Sequence, residues 1–465
     1  MHIITQNNSQ LNNTYLINEV YKKIQENIDP LNFNFSPMSY ANMVDIVSDY
    51  VNKIAINIML DYIEYLDRVF DESDIRKRDW HRKDYRYRTI ITVFGVLTYK
   101  RRIYENIYTK ECYTHVDRKL GLPRYDRFAP CVRALIIERY SMFNSMIKVG
   151  KITGEEIYSK FTLNPERKLF SISRQTIYNI CKKSKIIKPK TQRLEETPKT
   201  IYIMADEKYI AGQDGSNILV KHGVIYEGII VKGRRTSLVR PYVVSHIGPD
   251  FWDKVYDKFA LRYDTDKVKK IYIMGDGASW IKTGVNTFPG SKFALDKFHL
   301  KQAINHISKD ELIKDLLTSY IIKNRRPDFN RLIKHIDSET ATESRKETIY
   351  EKTKYIRNHW EAIQVMYKKV RIGCPMESAI SHNIASIFSS VPKAYSEDNL
   401  KKYISYRDLT LNNYDIRSLF IASLKSKDDE YIEDEKPLNW SIFEERSKTD
   451  KATSSNWLKG FVKQQ

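Results

Sequence analysis

Ile201-Tyr-Ile-Met-Ala-Asp-Glu207 and Lys270-Ile-Tyr-Ile-Met-Gly-Asp-Gly-Ala278 repeat one pattern, an apolar run with two isoleucines that ends on a carboxylate. Short apolar runs rich in β-branched and aromatic residues predict buried strands. Asp206 and Asp276 then stand at the carboxyl ends of strands, where open α/β sheets gather ligand-binding groups. Working outward, 218–231 and 237–247 read as two further strands with Gly223 and Gly228 marking bends. Residues 251–263 read as a helix, and 292–295 as a fifth strand that ends on Asp296 and leads into a helix at Phe298.

Three antiparallel-type strands, a crossover helix and two more strands follow the order expected of a ribonuclease H-like domain. The predicted class is mixed α+β: a ribonuclease H-like α/β core with an all-helical insertion, preceded by a mainly helical DNA-binding region with a β-hairpin. The core's first part spans 200–305. From 306 to 372 the chain turns charged and helix-rich, with Ile356, Trp360, Ile363 and Tyr367 at helical spacing. Residues 373–395 return as a core helix carrying Glu377, and 396–465 form a helical region and charged tail with an acidic run at 428–445. Upstream, 1–128 holds an amphipathic helix at 39–70, with Ile54, Ile58, Tyr62 and Leu66 on one face, and a hairpin at 89–104. Residues 129–199 are helical and close with a basic linker containing Pro189 and Pro198.

The 465 residues carry 78 Lys and Arg against 58 Asp and Glu, a formal charge of +20 that attracts polyanions and makes nucleic acid the first partner to consider. The excess concentrates in Arg76, Lys77, Arg78, Arg82, Lys83, Arg86, Arg88, Lys100, Arg101 and Arg102, interleaved with Trp80, Tyr85, Tyr87 and Tyr99, a mixture suited to phosphate contact and base stacking. A second candidate is 171–183, which reads like the recognition helix of a helix-turn-helix, capped by Ser173 and presenting Arg174, Gln175 and Asn179. The four cysteines, Cys112, Cys131, Cys181 and Cys374, have no metal-binding spacing. No apolar run reaches membrane-span length, and the Asn- and Gln-rich stretch at 6–13 lacks the pattern of a signal peptide, so a cytoplasmic protein is expected.

Phosphodiester cleavage needs charge stabilisation on both the attacking and the leaving oxygen, which a pair of divalent ions roughly 4 Å apart provides. Hard ions such as Mg2+, with Mn2+ as a substitute, require oxygen ligands. Asp206 and Asp276 supply two carboxylates. Glu377 is a candidate third: Ile380, Ile384 and Phe388 put it on an apolar helix face turned toward the sheet, the alternative being a glutamate favoured at a helix N-terminus by the helix dipole. Asp296 and His299 are candidate supporting groups. Phosphate-loop, nucleophile-elbow and His-Glu-x-x-His patterns are absent from the sequence.

Phe94-Gly-Val-Leu-Thr-Tyr-Lys-Arg-Arg-Ile-Tyr104, Lys119-Leu-Gly-Leu122, Ala205-Asp-Glu207, Gly275-Asp-Gly-Ala-Ser-Trp280, Asp296-Lys-Phe-His299 and Gly373-Cys374 with Glu377 and Ser381-His382 resemble the ISLre-type insertion-sequence transposases, a group similar to the Mutator-like DDE transposases. The resemblance runs from about Asp67 to Asp408. It implies that Asp206, Asp276 and Glu377 bind two Mg2+ ions, and that Asp296 and His299 match a supporting Asp-x-x-His element. It also implies double-stranded DNA partners, both terminal inverted repeats and target, and a homodimer or higher oligomer. Ser378 and Ala379 stand where the family usually has Gly and His. The expected activity is Mg-dependent cleavage at transposon ends and strand transfer of the 3′-hydroxyl. The alternatives are a ribonuclease H-like DNA nuclease or resolvase without strand transfer, and a non-catalytic DNA-binding derivative.

Overall fold

The computed structural model describes residues 17–22, 24–26, 37–122, 125–158, 170–233, 235–370, 372–388 and 393–424. Contacts divide the chain into two units, Met1–Ile421 and Ala422–Gln465. All but the first three residues of the second unit, including the acidic run at 428–445, lie outside the described residues, as does the 6–13 stretch.

The first unit opens with α1 (Pro37–Glu72) and the short α2 (Asp74–Asp79), capped by the Ser73 side chain accepting from the Arg76 amide. The hairpin follows as β1 (Trp80–Thr92) and β2 (Gly95–Asn106), extended by β3 (Cys112–Tyr113). Thr92 pairs with Gly95 across a two-residue turn, and Gly95 takes φ +126°, a conformation that glycine reaches without a Cβ clash. Ile63 of α1 packs with Ile90, Leu97 and Tyr99 of the hairpin and with Val116 of α3 (His115–Lys119). The hairpin begins at Trp80 rather than at 89, because the outer half of β1 is largely polar and shows no apolar alternation in the sequence.

Helices α4 (Pro130–Phe143), α5 (Met146–Tyr158) and α6 (Arg174–Lys183) come next. Their buried residues, among them Val132, Ile136 and Ile177, join one cluster with Val220 and Val224 of the sheet. The central sheet comprises β4 (Thr200–Ala211), β5 (Asn217–Tyr226), β8 (Tyr242–His246), β9 (Lys270–Gly275) and β10 (Lys292–Leu295), in the spatial order β10-β9-β4-β5-β8. β5 runs antiparallel to β4 and β8, while β9 and β10 run parallel to β4, so the sheet is mixed. Helix α7 (Phe251–Arg262) makes the crossover between β8 and β9, burying Phe251, Val255 and Phe259 against Ile201, Ile203 and Ile273.

Two expectations for the sheet need correction. The expected strands 218–231 and 237–247 each break, and the ends where they approach each other in sequence form a separate ribbon of β6 (Ile229–Lys232) and β7 (Arg235–Leu238). Gly228 does mark the departure point. Gly223, by contrast, sits mid-strand with no bend, and a Cβ there would lie 2.9 Å from Cζ of Phe251, so the glycine permits close approach of α7.

The chain then forms α8 (Lys297–Ile307), α9 (Glu311–Ile322), α10 (Arg326–Glu339), α11 (Glu343–Asn358) and α12 (Trp360–Val365). These helices share a core of Leu300, Leu317, Phe329, Ile349, Ile356 and Trp360 that reaches Leu295 of β10. A wide helical turn at Met366–Val370 leads back to α13 (Met376–Ile380), followed by α14 (Glu397–Leu411) and α15 (Ile416–Ser423).

Candidate active site

The two-residue period of a strand decides where the acids point. Met204, Met274 and Ala294 belong to the cluster on the sheet face opposite α7. Asp206, Asp276 and Asp296 lie two residues beyond each of them and keep the same parity. Met376 and Ile380 pack into that cluster, which places α13, the helix of Glu377, on the same face. Three parallel strands, β4, β9 and β10, thus deliver acids toward one rim, and α13 closes over it.

Local bonds fix each carboxylate. The Asp206 carboxylate accepts from the Glu207 amide at 2.7 Å. Asp276 accepts from the Ala278 amide at 2.8 Å, which folds the Gly-Asp-Gly loop back on itself. Asp296 is buried, caps α8 by accepting from the Phe298 amide at 3.1 Å, and donates its own amide to the Gly275 carbonyl at 2.9 Å. The helical insertion grips this loop as well: the Tyr355 hydroxyl donates to the Asp276 carbonyl, and His359 lies 3.2 Å from the Gly277 carbonyl.

Electrostatics report the convergence. Burial pushes the Asp206 carboxyl up to about 6; the charges of Asp276 and Glu377 push the same way, while the Glu207 amide and His299 oppose them. Asp296 is raised chiefly by burial and also by Glu377, with the Phe298 amide and His299 opposing. Glu207 is raised by burial, Asp276 and Asp206, and its carboxylate accepts from the Trp280 indole. Asp276 and Glu377 thus bear on Asp206, and Glu377 on Asp296, while His299 opposes the shift of both. Among the described residues, no three His, Cys, Asp or Glu side chains are drawn together tightly enough to hold a metal ion as they stand. The arrangement is an open acidic rim.

Glu377 is not placed as its spacing suggested. Met376, Ile380, Ile384 and Phe388 form the buried row, and Glu377, one residue after Met376, turns outward and is exposed. The sequence offset from Ile380 fits either side of the helix, and only the packing of Met376 decides it. Sequence reasoning also missed Tyr355 and His359, which bond the Asp276 loop from a distant segment and carry no local pattern.

The basic candidates divide by environment. Arg88 is buried and donates to Asp117 at 2.7 Å, and Arg101 pairs with the same carboxylate. Arg82 forms a fork to Asp71 at 2.6 Å with both nitrogens, Arg76 bonds the Asp71 carbonyl, and Arg102 pairs with Asp67 at 2.9 Å. These five arginines tie the hairpin and α2 to α1 and α3. Lys77, Arg78, Lys83, Arg86 and Lys100 have exposed side chains. Arg78 and Arg86 make exposed pairs with Asp79 and Asp84, Lys83 pairs with Glu105, and Lys100 lies 4.6 Å from the Tyr85 ring. On α6, Ser173 caps the helix by accepting from the Thr176 amide, and Arg174, Gln175 and Asn179 are exposed, Gln175 donating to Asn179 at 3.0 Å. The segment from Tyr158 to Arg174 between α5 and α6 is longer than the three- or four-residue turn of a simple helix-turn-helix.

Fold and site together define an α/β protein with a mixed five-stranded sheet and acids just past the ends of β9 and β10; β4 runs on beyond Asp206 to Ala211, paired with β5, so Asp206 lies within its strand rather than at the end its apolar run suggested. The chain belongs to the uncharacterised protein family UPF0236, which matches residues 35–421. UPF0236 protein TTE2489 of Caldanaerobacter subterraneus subsp. tengcongensis is 30% identical over 395 residues, covering 82% of this chain and 81% of its own. A second UPF0236 protein of that organism, whose name joins gene labels from TTE0033 to TTE2212, is 29% identical over 392 residues, covering 82% and 80%. No helix among the described residues is long and apolar enough to cross a membrane.

Proposed function

We propose that this protein is a DNA transposase of a bacterial insertion sequence, cutting transposon-end phosphodiesters with divalent cations and joining the freed 3′-hydroxyl to target DNA. The observation that carries the reading is that Asp206 on β4, Asp276 after β9 and Asp296 after β10 keep the parity of Met204, Met274 and Ala294, while Met376 and Ile380 pack α13, the helix of Glu377, on that same sheet face. The strand order supports it: with the core strands numbered along the chain, the sheet reads 3-2-1-4-5 with the second antiparallel, the arrangement of a ribonuclease H-like core. The resemblance to ISLre-type transposases supports it further. The second relative's name carries eleven gene labels from one organism, as repeated copying of a mobile element would produce.

The donor set suits Mg2+ or Mn2+: Asp206, Asp276 and Glu377 offer only hard oxygen atoms, and a part-buried carboxylate raised chiefly by burial, and further by its acidic neighbours, favours a cation. Two such ions, when bound, stabilise charge on the attacking and leaving oxygens of a phosphodiester. The chain's own residues prepare that site. The Glu207 and Ala278 amides orient the first two carboxylates, Tyr355 and His359 hold the Asp276 loop, and buried Asp296 anchors α8, which bears His299. Exposed Lys77, Arg78, Lys83, Arg86 and Lys100, with Arg174, Gln175 and Asn179, are the surface groups suited to DNA. In the reaction, water attacks the end phosphorus and the 3′-oxygen leaves with a proton; that 3′-hydroxyl then attacks a target phosphorus and displaces a target 3′-oxygen.

The test is incubation of purified protein with oligonucleotides carrying the element's ends and a target duplex, in Mg2+ or Mn2+. Cleaved and joined products are expected, both lost in Asp276→Ala while DNA binding persists. Cleaved ends without joined product would make the protein a nuclease or resolvase. Binding without cleavage would make it a non-catalytic derivative.

A further inference from the structure

Asp206 on β4, His222 on β5 and Ser245 on β8 are register partners across three neighbouring strands. Directly opposed residues of an antiparallel pair share a face, so His222 stands on the side where α13 packs. His222 is fully buried. Its Nδ1 lies 2.7 Å from the Ser245 hydroxyl, and its Nε2 lies 3.1 Å from the Asn383 side-chain amide. Ser245 donates its hydroxyl to Asp408 of α14 at 2.7 Å and its amide to the same carboxylate at 2.6 Å.

Donor chemistry gives this chain one direction. The Ser245 proton is committed to Asp408, so the Ser245 oxygen accepts from Nδ1–H, which leaves Nε2 as the acceptor for the Asn383 NH2. Asn383 donates to His222, His222 to Ser245, and Ser245 to Asp408. Arg407, beside Asp408, donates to the Asn383 carbonyl at 3.2 Å and so holds the same residue from above.

Apolar contacts made by Met376, Ile380 and Ile384 choose which side of the Glu377 segment faces the sheet, but they are non-directional and leave it free to slide. Asn383 lies in the wide helical turn Ser381–Ala385 that continues directly from α13. Its bond to His222 is directional and ends on the strand residue opposite Asp206.

We propose that His222 is a positioning residue: through Asn383 it pins the segment carrying Glu377 at a fixed register beside Asp206, so that the third carboxylate meets the first two. The proposal rests on the reading of those acids as a cation site and adds the residue that sets its spacing.

The experiment uses the full chain without DNA. Mn2+ binding is titrated by calorimetry, and amide hydrogen exchange is followed by mass spectrometry, for wild type, His222→Ala, Asn383→Ala, the double variant and His222→Gln. Supporting groups behind metal ligands are worth 10- to 100-fold in affinity, so each Ala variant should bind Mn2+ roughly 10-fold more weakly or worse. The double variant should add little to either single one, since both cut one chain. His222→Gln, whose Oε1 can still accept from Asn383, should recover most of the affinity. Exchange should rise over 376–388 while β4 and β9 stay protected.

Wild-type affinity and exchange in both Ala variants would overturn the proposal, as would faster exchange spread evenly over the sheet. If wild type binds no Mn2+, the cation reading fails, and exchange alone then decides whether His222 fixes this segment. If wild type binds Mn2+ but cuts no DNA, the transposase reading fails and the positioning role stands.

Discussion

Replacing Asp206 with Asn should abolish metal-dependent chemistry and make the metal-free protein more stable. The Asp206 carboxyl is raised from 3.8 to about 6, chiefly by burial and then by the charges of Asp276 and Glu377. A shift of about two units, at ~1.36 kcal/mol per unit, sets a ceiling of about 3 kcal/mol on the cost of its charge at neutral pH. Asp206 is only part-buried, and solvent screening leaves about 1.5 kcal/mol of that. Asn keeps the oxygen that accepts from the Glu207 amide, so no hydrogen bond is lost. The sign follows from proton uptake. A carboxyl with a raised folded pKa binds more protons folded than unfolded between 3.8 and about 6, so the native state is favoured below 3.8, and that advantage is lost as pH rises through about 6. Asp206→Asn should therefore unfold about 3 °C above wild type at pH 8 in chelator, and the gap should close toward pH 4. Differential scanning fluorimetry across that range measures it, and saturating Mn2+ should reverse the order by stabilising wild type alone. A variant less stable than wild type at pH 8, or a gap that ignores pH, would refute the account of Asp206 as a carboxyl raised by burial and by its acidic neighbours.

Two further outcomes test the scaffold. Asp117→Ala removes the acceptor shared by buried Arg88, Tyr99 and Arg101, and the stranded guanidinium should cost about 3–5 kcal/mol, read as a lower denaturant midpoint with faster exchange in β1 and β2; a loss below about 1 kcal/mol would make the pair incidental. Gly277→Ala puts a Cβ 2.4 Å from Nε2 of His359 at φ +96°, so it should cost about 1–3 kcal/mol and weaken Mn2+ binding, with His359→Ala restoring part of the stability. Independent, additive losses in the double variant would disprove that contact.

Much of the core was legible because its signals are local. Apolar runs ending on Asp206 and Asp276 predicted β4 and β9, and Phe298 opens a helix where expected. Other features depended on packing. Gly223 looked like a bend and proved to be the place where Phe251 touches β5. The outer half of β1 carries polar residues on the face that meets α1, where Arg82 bonds Asp71, so it shows no apolar alternation and its true start was hidden. The basic stretch 76–102 read as one cationic surface, yet Asp67, Asp71 and Asp117, remote in sequence, draw Arg76, Arg82, Arg88, Arg101 and Arg102 into structural pairs.

The sequence by itself determined that apolar runs lead into Asp206, Asp276 and Asp296, although β4 continues past Asp206 to Ala211. It also predicted a helix at α1, though Ile58 and Tyr62 of the expected face are exposed and Ile63 and Phe70 are buried instead, together with a capped α6 and a helical stretch between Asp296 and Glu377. Only the tertiary structure decided that β4, β9 and β10 lie side by side, that Met376 rather than Glu377 turns inward, and that His222 meets Asn383. Strand period and capping are properties of neighbouring residues, whereas these last contacts join segments separated by tens to more than a hundred residues, and the choice among such pairings is made by packing the whole core.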